Sequence, residues 1–320
     1  MEVSRKEKNS YGKNITVVKQ NEACTVYQMK DGSGEGTMTC YQVFPGIDLI
    51  YNDFHMPGCF SEFQPKVNML GIDHCREGRI EWEFQNGSYL YLAQGDLQIS
   101  SKDNHTAGFG FPLSHYHGIT VAIYIDEALP ALAAVSEGFP VDITTLREKF
   151  CTGKRPFIMR AQDSIQHIFS ELYTVPEQIK KTYFKIKVLE LLLFLSTVEA
   201  PSDSGDERRY FPRSQVNAVK AVMNYICENL DRRFTLKELS DRFCLPLTTL
   251  KLCFKGVYGC SVQAYLRSYR MQAAALMLRQ SKDSIAVIAG KVGYDNASKF
   301  AAAFKLVTGR SPQEYRKSVV

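Results

Sequence analysis

The chain has 320 residues and a mass of 36.2 kDa, and its 45% hydrophobic, 23% charged and 12% aromatic content excludes a disordered, collagen-like or coiled-coil protein. No apolar run approaches the ~18 residues of a membrane span, since the richest, Leu189 to Leu195, is broken by its flanks. The net charge of +5 is uneven: residues 214–320 hold 17 basic and 7 acidic side chains, a balance of +10, and the remainder holds 22 and 27, a balance of −5. A polyanionic partner, nucleic acid or an anionic membrane face, is therefore expected for the last third only.

In chain order, Met1 to Ser10 is charged and polar with no apolar core, so no secretory signal is expected and a cytoplasmic location follows. The nine cysteines, Cys24, Cys40, Cys59, Cys75, Cys151, Cys227, Cys244, Cys253 and Cys260, are odd in number and form no Cys-x-x-Cys pair. Scattered reduced thiols are expected, with no disulfide framework. Residues 24–126 read as short strands rich in β-branched and aromatic residues, broken by Gly, Asn and Asp. Thr37 to Tyr51 is one run. Ile80 to Phe84 alternates apolar and acidic residues, Asn86-Gly87 supplies a turn, and Tyr89 to Leu92, Leu97 to Ser100 and Gly118 to Asp126 follow. This spacing predicts a small antiparallel β-barrel over 1–126.

Past Asp126 the pattern turns helical over 127–200, with candidates at 128–136, 143–150, 163–173 and 176–200. The last has Pro176 at its first turn and two adjacent apolar stripes. One is Ile179, Tyr183 and Ile186; the other is Phe184, Val188, Leu191 and Leu195. The helix either packs on the barrel or pairs two copies of the chain, so a homodimer is expected. Ala200 to Arg209 is polar and turn-rich, and a linker is placed at 201–214.

Five histidines lie in the front half: His55, His74, His105, His115 and His117. On a strand His115 and His117 would face one side, with a third ligand drawn from His55, His74 or a carboxylate. The following Gly118 to Ile123 carries no carboxylate before Asp126, so neither a metal site nor a cofactor is expected. An internal pocket suits such a barrel better. Ile80, Trp82 and Phe84 share one strand face, and with His115 and His117 they are the candidate effector-binding residues. Trp82 is the only tryptophan.

Residues 215–320 contain a repeat at an offset of 50. Phe254-Lys-Gly-Val-Tyr-Gly-Cys-Ser-Val-Gln-Ala-Tyr265 aligns with Phe304-Lys-Leu-Val-Thr-Gly-Arg-Ser-Pro-Gln-Glu-Tyr315, and seven of the twelve positions are identical. One supersecondary unit has been used twice. Before each copy lies a short helix: Thr235 with Glu238 forms a capping box, and Asp283 or Ser284 caps Ile285 to Lys291. Turns at Arg242 to Leu245 and at Gly293 lead into longer helices over 246–257 and 296–307, stopped by Gly259 and Gly309. Short helix, turn, longer helix is the helix-turn-helix pattern, whose second helix enters the major groove. Val262 to Gln280 would join the two as one helix of roughly 28 Å at 1.5 Å per residue, burying Val262, Leu266, Tyr269, Ala273 and Leu276. The fold class is thus α+β: a barrel with trailing helices, then an all-α domain of two helix-turn-helix units joined by a linker helix.

Three runs carry a resemblance. They are Arg270-Met-x-x-Ala274-x-x-Met277-Leu278, Ile285-x-x-Ile288-Ala289-x-x-Val292-Gly293-Tyr294, and Ser298-x-Phe300-x-x-x-Phe304-Lys305-x-x-x-Gly309-x-Ser311-Pro312-x-x-Tyr315-Arg316. Over Asn217 to Lys317 the chain resembles the AraC/XylS family of bacterial transcription regulators. The front half is similar, in architecture, to the cupin-like sensor and dimerisation region of many members.

The resemblance implies base-facing positions at Thr248, Thr249, Lys251 and Leu252 and at Asn296, Ala297, Ser298, Ala301 and Ala302. Lys251 would donate to guanine and Asn296 would read adenine. Lys255, Lys299 and Lys305 are phosphate candidates. Leu252 and Ala302 depart from the long polar residues common in the family, so readout by thymine methyls and DNA shape is expected there. The implied protein is a non-enzymatic, effector-responsive regulator of promoter DNA, an activator working through RNA polymerase. The alternatives are a dimeric regulator with no ligand, a metal-dependent barrel enzyme, and a DNA-repair fusion with a methyl-accepting cysteine.

Overall fold

A computed structural model describes residues 15–58, 68–101, 106–135, 139–151, 156–199 and 210–318. The amino-terminal decapeptide, Cys59, His105 and linker residues 201–209 lie outside the described residues. The chain divides into two compact units, Met1–Tyr210 and Phe211–Val320. No helix among the described residues is long and apolar enough to cross a membrane.

In the first unit an antiparallel sheet takes strands β1 (Ile15–Gln20), β2 (Thr25–Asp31), β3 (Gly34–Phe44), β4 (Ile47–His55), β5 (Met69–Gly78), β8 (Leu97–Ser100), β10 (Tyr116–Tyr124) and β11 (Phe157–Met159). Their order is β1-β2-β3-β4-β10-β5-β8-β11. A smaller sheet holds β6 (Ile80–Phe84), β7 (Ser88–Leu92) and β9 (Thr106–Gly110), with β6 between its neighbours. The ring expected from strand spacing is not what forms. Among the described residues β1 and β11 are the two ends of the larger sheet, so the strands make two layers and no closed barrel. The run from Thr37 to Tyr51 is likewise two strands, β3 and β4. Their hairpin turns at Pro45-Gly46, where Gly46 takes φ 73°, a left-handed conformation that glycine adopts without a Cβ penalty.

Four helices follow or flank the sheet: α1 (Ile125–Val135), α2 (Ile143–Phe150), α3 (Asp163–Leu172) and α4 (Lys180–Thr197). Asp142 caps α2 by accepting from Thr144 N–H at 2.9 Å. The helix expected from Pro176 instead begins with a short 3-10 turn at Glu177–Ile179 before α4.

The larger sheet is buried on both faces, and strand alternation decides which side chain goes where. Leu49, Ile72, Ile119 and Val121 face the helices and pack with Phe169, Phe184, Val188, Leu191 and Leu195. Tyr27, Met38, Ile50, Phe54 and Tyr116 face the smaller sheet and pack with Ile80, Phe84, Leu90 and Phe111. The helical region therefore shares its core with the sheet. On α4 the leucine stripe is that core, whereas Ile186 and Leu193, with Ile179 in the preceding 3-10 turn, stay exposed. Lys187, 3% exposed at its side chain, holds Glu171 at 2.7 Å and Glu190 at 2.6 Å. Its ammonium, with the Tyr183 hydroxyl, pulls the Glu171 carboxyl down to about 2.

In the second unit every element is a helix apart from Phe211-Pro212: α5 (Arg213–Glu228), α6 (Leu236–Arg242), α7 (Leu247–Tyr258), α8 (Val262–Gln280), α9 (Ile285–Lys291), α10 (Ala297–Thr308) and α11 (Pro312–Lys317). The repeat is visible in its packing. Phe254 meets Tyr265 at 6.0 Å and 83° between ring planes, and Phe304 meets Tyr315 at 5.4 Å and 81°. The two copies differ where only one has a partner. The Phe211 ring lies where a Cβ on Gly256 would be, while the matching Leu306 is 74% exposed.

Candidate nucleic-acid interface

The two helix-turn-helix units are α6–α7 and α9–α10. Thr235 accepts from Glu238 N–H at 3.1 Å while the Glu238 carboxylate accepts from Thr235 N–H at 2.7 Å, the reciprocal cap expected for α6. Ser284, rather than Asp283, caps α9, accepting from Val287 N–H at 3.2 Å. Asp283 instead pairs with Lys291 at 2.8 Å. The turns carry one left-handed residue each, Cys244 at φ 50° and Gly293 at φ 75°. From that residue to the next helix the second turn is one residue longer, Tyr294-Asp295-Asn296 against Leu245-Pro246, and Asn296 holds the cap position that Pro246 holds in the first copy.

Buried positions fix which face each second helix offers. On α7, Leu250, Cys253, Phe254 and Val257 point inward. Thr248, Lys251, Leu252 and Lys255 form one exposed stripe, and Thr249 is half-buried beside it. On α10, Phe300 and Phe304 point inward. Ala297, Ser298, Lys299, Ala302 and Lys305 are exposed and Ala301 is half-buried. The spacing i, i+3, i+4, i+7 puts 248, 251, 252 and 255 on one line of α7, and 298, 301, 302 and 305 on the same line of α10. The first stripe reads Thr, Lys, Leu, Lys and the second Ser, Ala, Ala, Lys. The first offers a long donor in mid-stripe and the second offers methyl groups there. Lys255 and Lys305 sit in the last helical turns, where a cation is favoured by the helix dipole.

Asn296 stands differently from its sequence expectation. Its side-chain oxygen accepts from Lys299 N–H at 2.9 Å and so caps α10. The amide that would read adenine is thus partly committed to holding the helix start.

Helix α8 has the expected bounds, but its buried face is another one. Val262, Arg270, Met271, Ala274 and Leu278 are buried, Leu266, Tyr269 and Ala273 are half-buried, and Leu276 is 53% exposed. One straight stripe does not describe a helix with two clients. Its first half meets the first unit through Tyr265, and its second half joins Ile288, Val292, Phe300 and Phe304 in the second core. Arg270 lies where the two meet. Its guanidinium donates to the Arg232 carbonyl beside the first unit and packs against Gly293 in the second turn. A Cβ on Gly293 would lie 2.6 Å from Arg270 Nη2 and 2.7 Å from the Leu230 carbonyl oxygen. We expect Gly293→Ala to cost about 2 kcal/mol, from left-handed strain with the crowding added. A denaturant midpoint within error of the parent would contradict this reading of the turn.

The five effector candidates are not brought together. Ile80 and Phe84 are packed in the core between the sheets and Trp82 lies half-buried against it. His117 is on the opposite face of β10 from Tyr116, beside Asp53 and His55. His115 precedes the strand, its Nδ1 3.1 Å from the Leu113 carbonyl oxygen. The methyl-accepting cysteine of the repair alternative needs an activated thiol. Burial pushes the Cys75 thiol up to about 12, in the opposite sense. The eight cysteines among the described residues are free thiols.

Against known proteins, the helix-turn-helix domain family matches residues 239–318. The chain is 32% identical over 113 residues to the HTH-type transcriptional activator RhaS of Pectobacterium carotovorum, covering 35% of this chain and 38% of that protein. It is 32% identical over 101 residues to the arabinose operon regulatory protein of Escherichia coli K12, covering 31% and 35%. Among solved structures it is similar to the C-terminal domain of AraT, a response regulator from Geobacillus stearothermophilus, at 30% identity, 32% of this chain, 84% of that chain and a TM-score of 0.31. The aligned region spans little more than a third of either of these two curated relatives.

Proposed function

We propose that this chain, whose C-terminal third is an AraC-type helix-turn-helix domain, is a sequence-specific regulator of bacterial promoter DNA, acting in the cytoplasm as a homodimer. The observation that carries this is the pair of matched stripes on α7 and α10, held by one shared helix within residues 214–320, whose charge balance is +10. Each second helix would enter one major-groove segment. Lys251 would read a base edge in the first, and Ala301, Ala302 and Leu252 would favour thymine methyls and groove shape. Lys255, Lys299 and Lys305 would hold phosphates.

The front unit would then carry the control. Trp82 is a half-buried effector candidate packed against the core between the sheets, and its fluorescence would report a bound ligand. The exposed Ile186 and Leu193 of α4, with Ile179 in the 3-10 turn before it, are seven residues apart and offer a surface for the second copy. An effector would act by binding one state of the assembly better than another. Transcription activation through RNA polymerase completes the reading.

The test starts from a site selected out of random duplexes and measured by fluorescence anisotropy at several salt concentrations. Lys251→Ala is expected to weaken that site by about 1–3 kcal/mol and to relax its sequence preference. Lys305→Ala is expected to weaken all duplexes alike and to reduce the salt slope by about one. If neither change moved affinity at physiological salt, the assigned docking would be wrong.

A further inference from the structure

The alternation of β10 sends Tyr116 into the core between the two sheets and Ile119 into the core beneath the helices. His117 shares the side of Ile119, so it emerges on the helix-side face of the larger sheet, at its exposed end. Register does the rest. His117 stands opposite Asp53 of β4 on one flank and opposite Glu77 of β5 on the other. His55, two residues after Asp53, shares that face of β4.

The side chains converge. Asp53 Oδ1 lies 2.6 Å from His117 Nε2 and 2.9 Å from His55 Nε2. The two imidazoles stand edge to face, 5.4 Å between centroids. One ligand atom from each of Asp53, His55 and His117 falls within 4.8 Å of the others. A four-coordinate ion with bonds of about 2.0–2.1 Å needs donors about 3.3 Å apart, a spacing that small rotations of these side chains, two exposed and one half-buried, would reach. His117 Nδ1 faces Glu77 Oε2 at 3.8 Å. That contact is longer than a hydrogen bond, and without an ion Nε2 shares a proton with Asp53; an ion on Nε2 would displace that proton, and Glu77 is placed to accept from Nδ1–H after a small rotation, the usual way a carboxylate orients a metal-binding histidine. Two imidazoles and one carboxylate form a donor set for borderline cations, with the fourth position open to water.

We propose that Asp53, His55 and His117 form a binding site for one divalent transition-metal ion of the zinc class, with Glu77 positioning His117. The site lies on strands, which hold donors more rigidly than loops. It is separate from the DNA-reading helices, so its fate says nothing about theirs. His115, the partner that sequence spacing offered to His117, takes no part.

The test uses the full-length chain, reduced, stripped with chelator and titrated with CoCl2 and then ZnCl2, following cobalt absorption and calorimetric stoichiometry. The parent is expected to bind one more ion than His117→Ala or His55→Ala, with no thiolate-to-cobalt charge-transfer band for that ion. His115→Ala is expected to match the parent, and Glu77→Gln to keep the site at about 10- to 100-fold lower affinity. Melting curves of the metal-free variants check folding, and His117→Gln replaces any alanine variant that melts lower. Equal stoichiometry and affinity in the parent and both histidine variants would overturn the proposal. So would a parent that binds no ion at micromolar concentrations, which would leave the cluster as hydrogen bonds among Asp53 and its two histidines.

Discussion

Replacing Phe304 by alanine should remove about 3–5 kcal/mol from the C-terminal unit, a large part of an ordinary domain's stability. The Phe304 side chain is fully buried, packed among Met271, Ala274, Leu278, Ile288 and Phe300, with Tyr315 edge-on at 5.4 Å. Truncation leaves a cavity enclosed by helices on several sides, and a close-packed interior closes such a gap poorly. Leu306, two residues on and 74% exposed, is the control, and Leu306→Ala should stay within about 0.5 kcal/mol. Urea unfolding separates the units, because Trp82 fluorescence reports the front one and helical circular dichroism is weighted to the other. A C-terminal transition that did not move in Phe304→Ala would mean that α10 is not seated as described.

The second large effect belongs to the front unit and to acid. His74 is buried, stacked on Phe169 at 4.2 Å and 7° between planes, and neither ring nitrogen has a hydrogen-bond partner among the described residues. Burial disfavours the cation and pushes the imidazole from 6.5 down to about 4. An unfolded chain takes up this proton as the pH falls through 6.5, while the folded chain resists until about 4. Stability is therefore full above pH 6.5 and falls as the pH drops across that window, by about 3 kcal/mol in total. His74→Phe should flatten the profile by up to one proton's slope. Urea midpoints by Trp82 fluorescence between pH 7 and 4 decide it: a variant as acid-sensitive as the parent refutes the assignment to His74.

These effects divide along the line of what could be read in advance. Helices α6 to α10 are legible because their signals are local: caps at Thr235 and at Asp283 or Ser284, stopping glycines at 259 and 309, and a repeat that preserves Phe254 and Phe304 as wedges. The existence of strands was equally legible, but their closure was not. The ends of the larger sheet depend on which strands pair over separations as long as the 76 residues between Ile47 and Ile123, and no local period encodes that. The stripe on α8 failed for a related reason. A period test assumes one partner, whereas Arg270 stands between two, the Arg232 carbonyl and Gly293. The amide of Asn296 suggests base reading, but the residue stands at the N-cap that Pro246 holds in the first copy, and its side-chain oxygen caps the helix there. His117 was noticed, but Asp53 lies 64 positions earlier and only the β4–β10 register brings them together.

Helix α8 gives the duplicated unit an unequal freedom to diverge. A change at Arg270 disturbs the frame that both copies use, because its guanidinium holds the Arg232 carbonyl and packs on Gly293. The exposed stripes carry no such shared duty, and they have already parted, Thr-Lys-Leu-Lys in one copy and Ser-Ala-Ala-Lys in the other. A lineage built on this plan can therefore rewrite what each half reads, one half at a time, while the distance and angle between the halves are inherited unchanged.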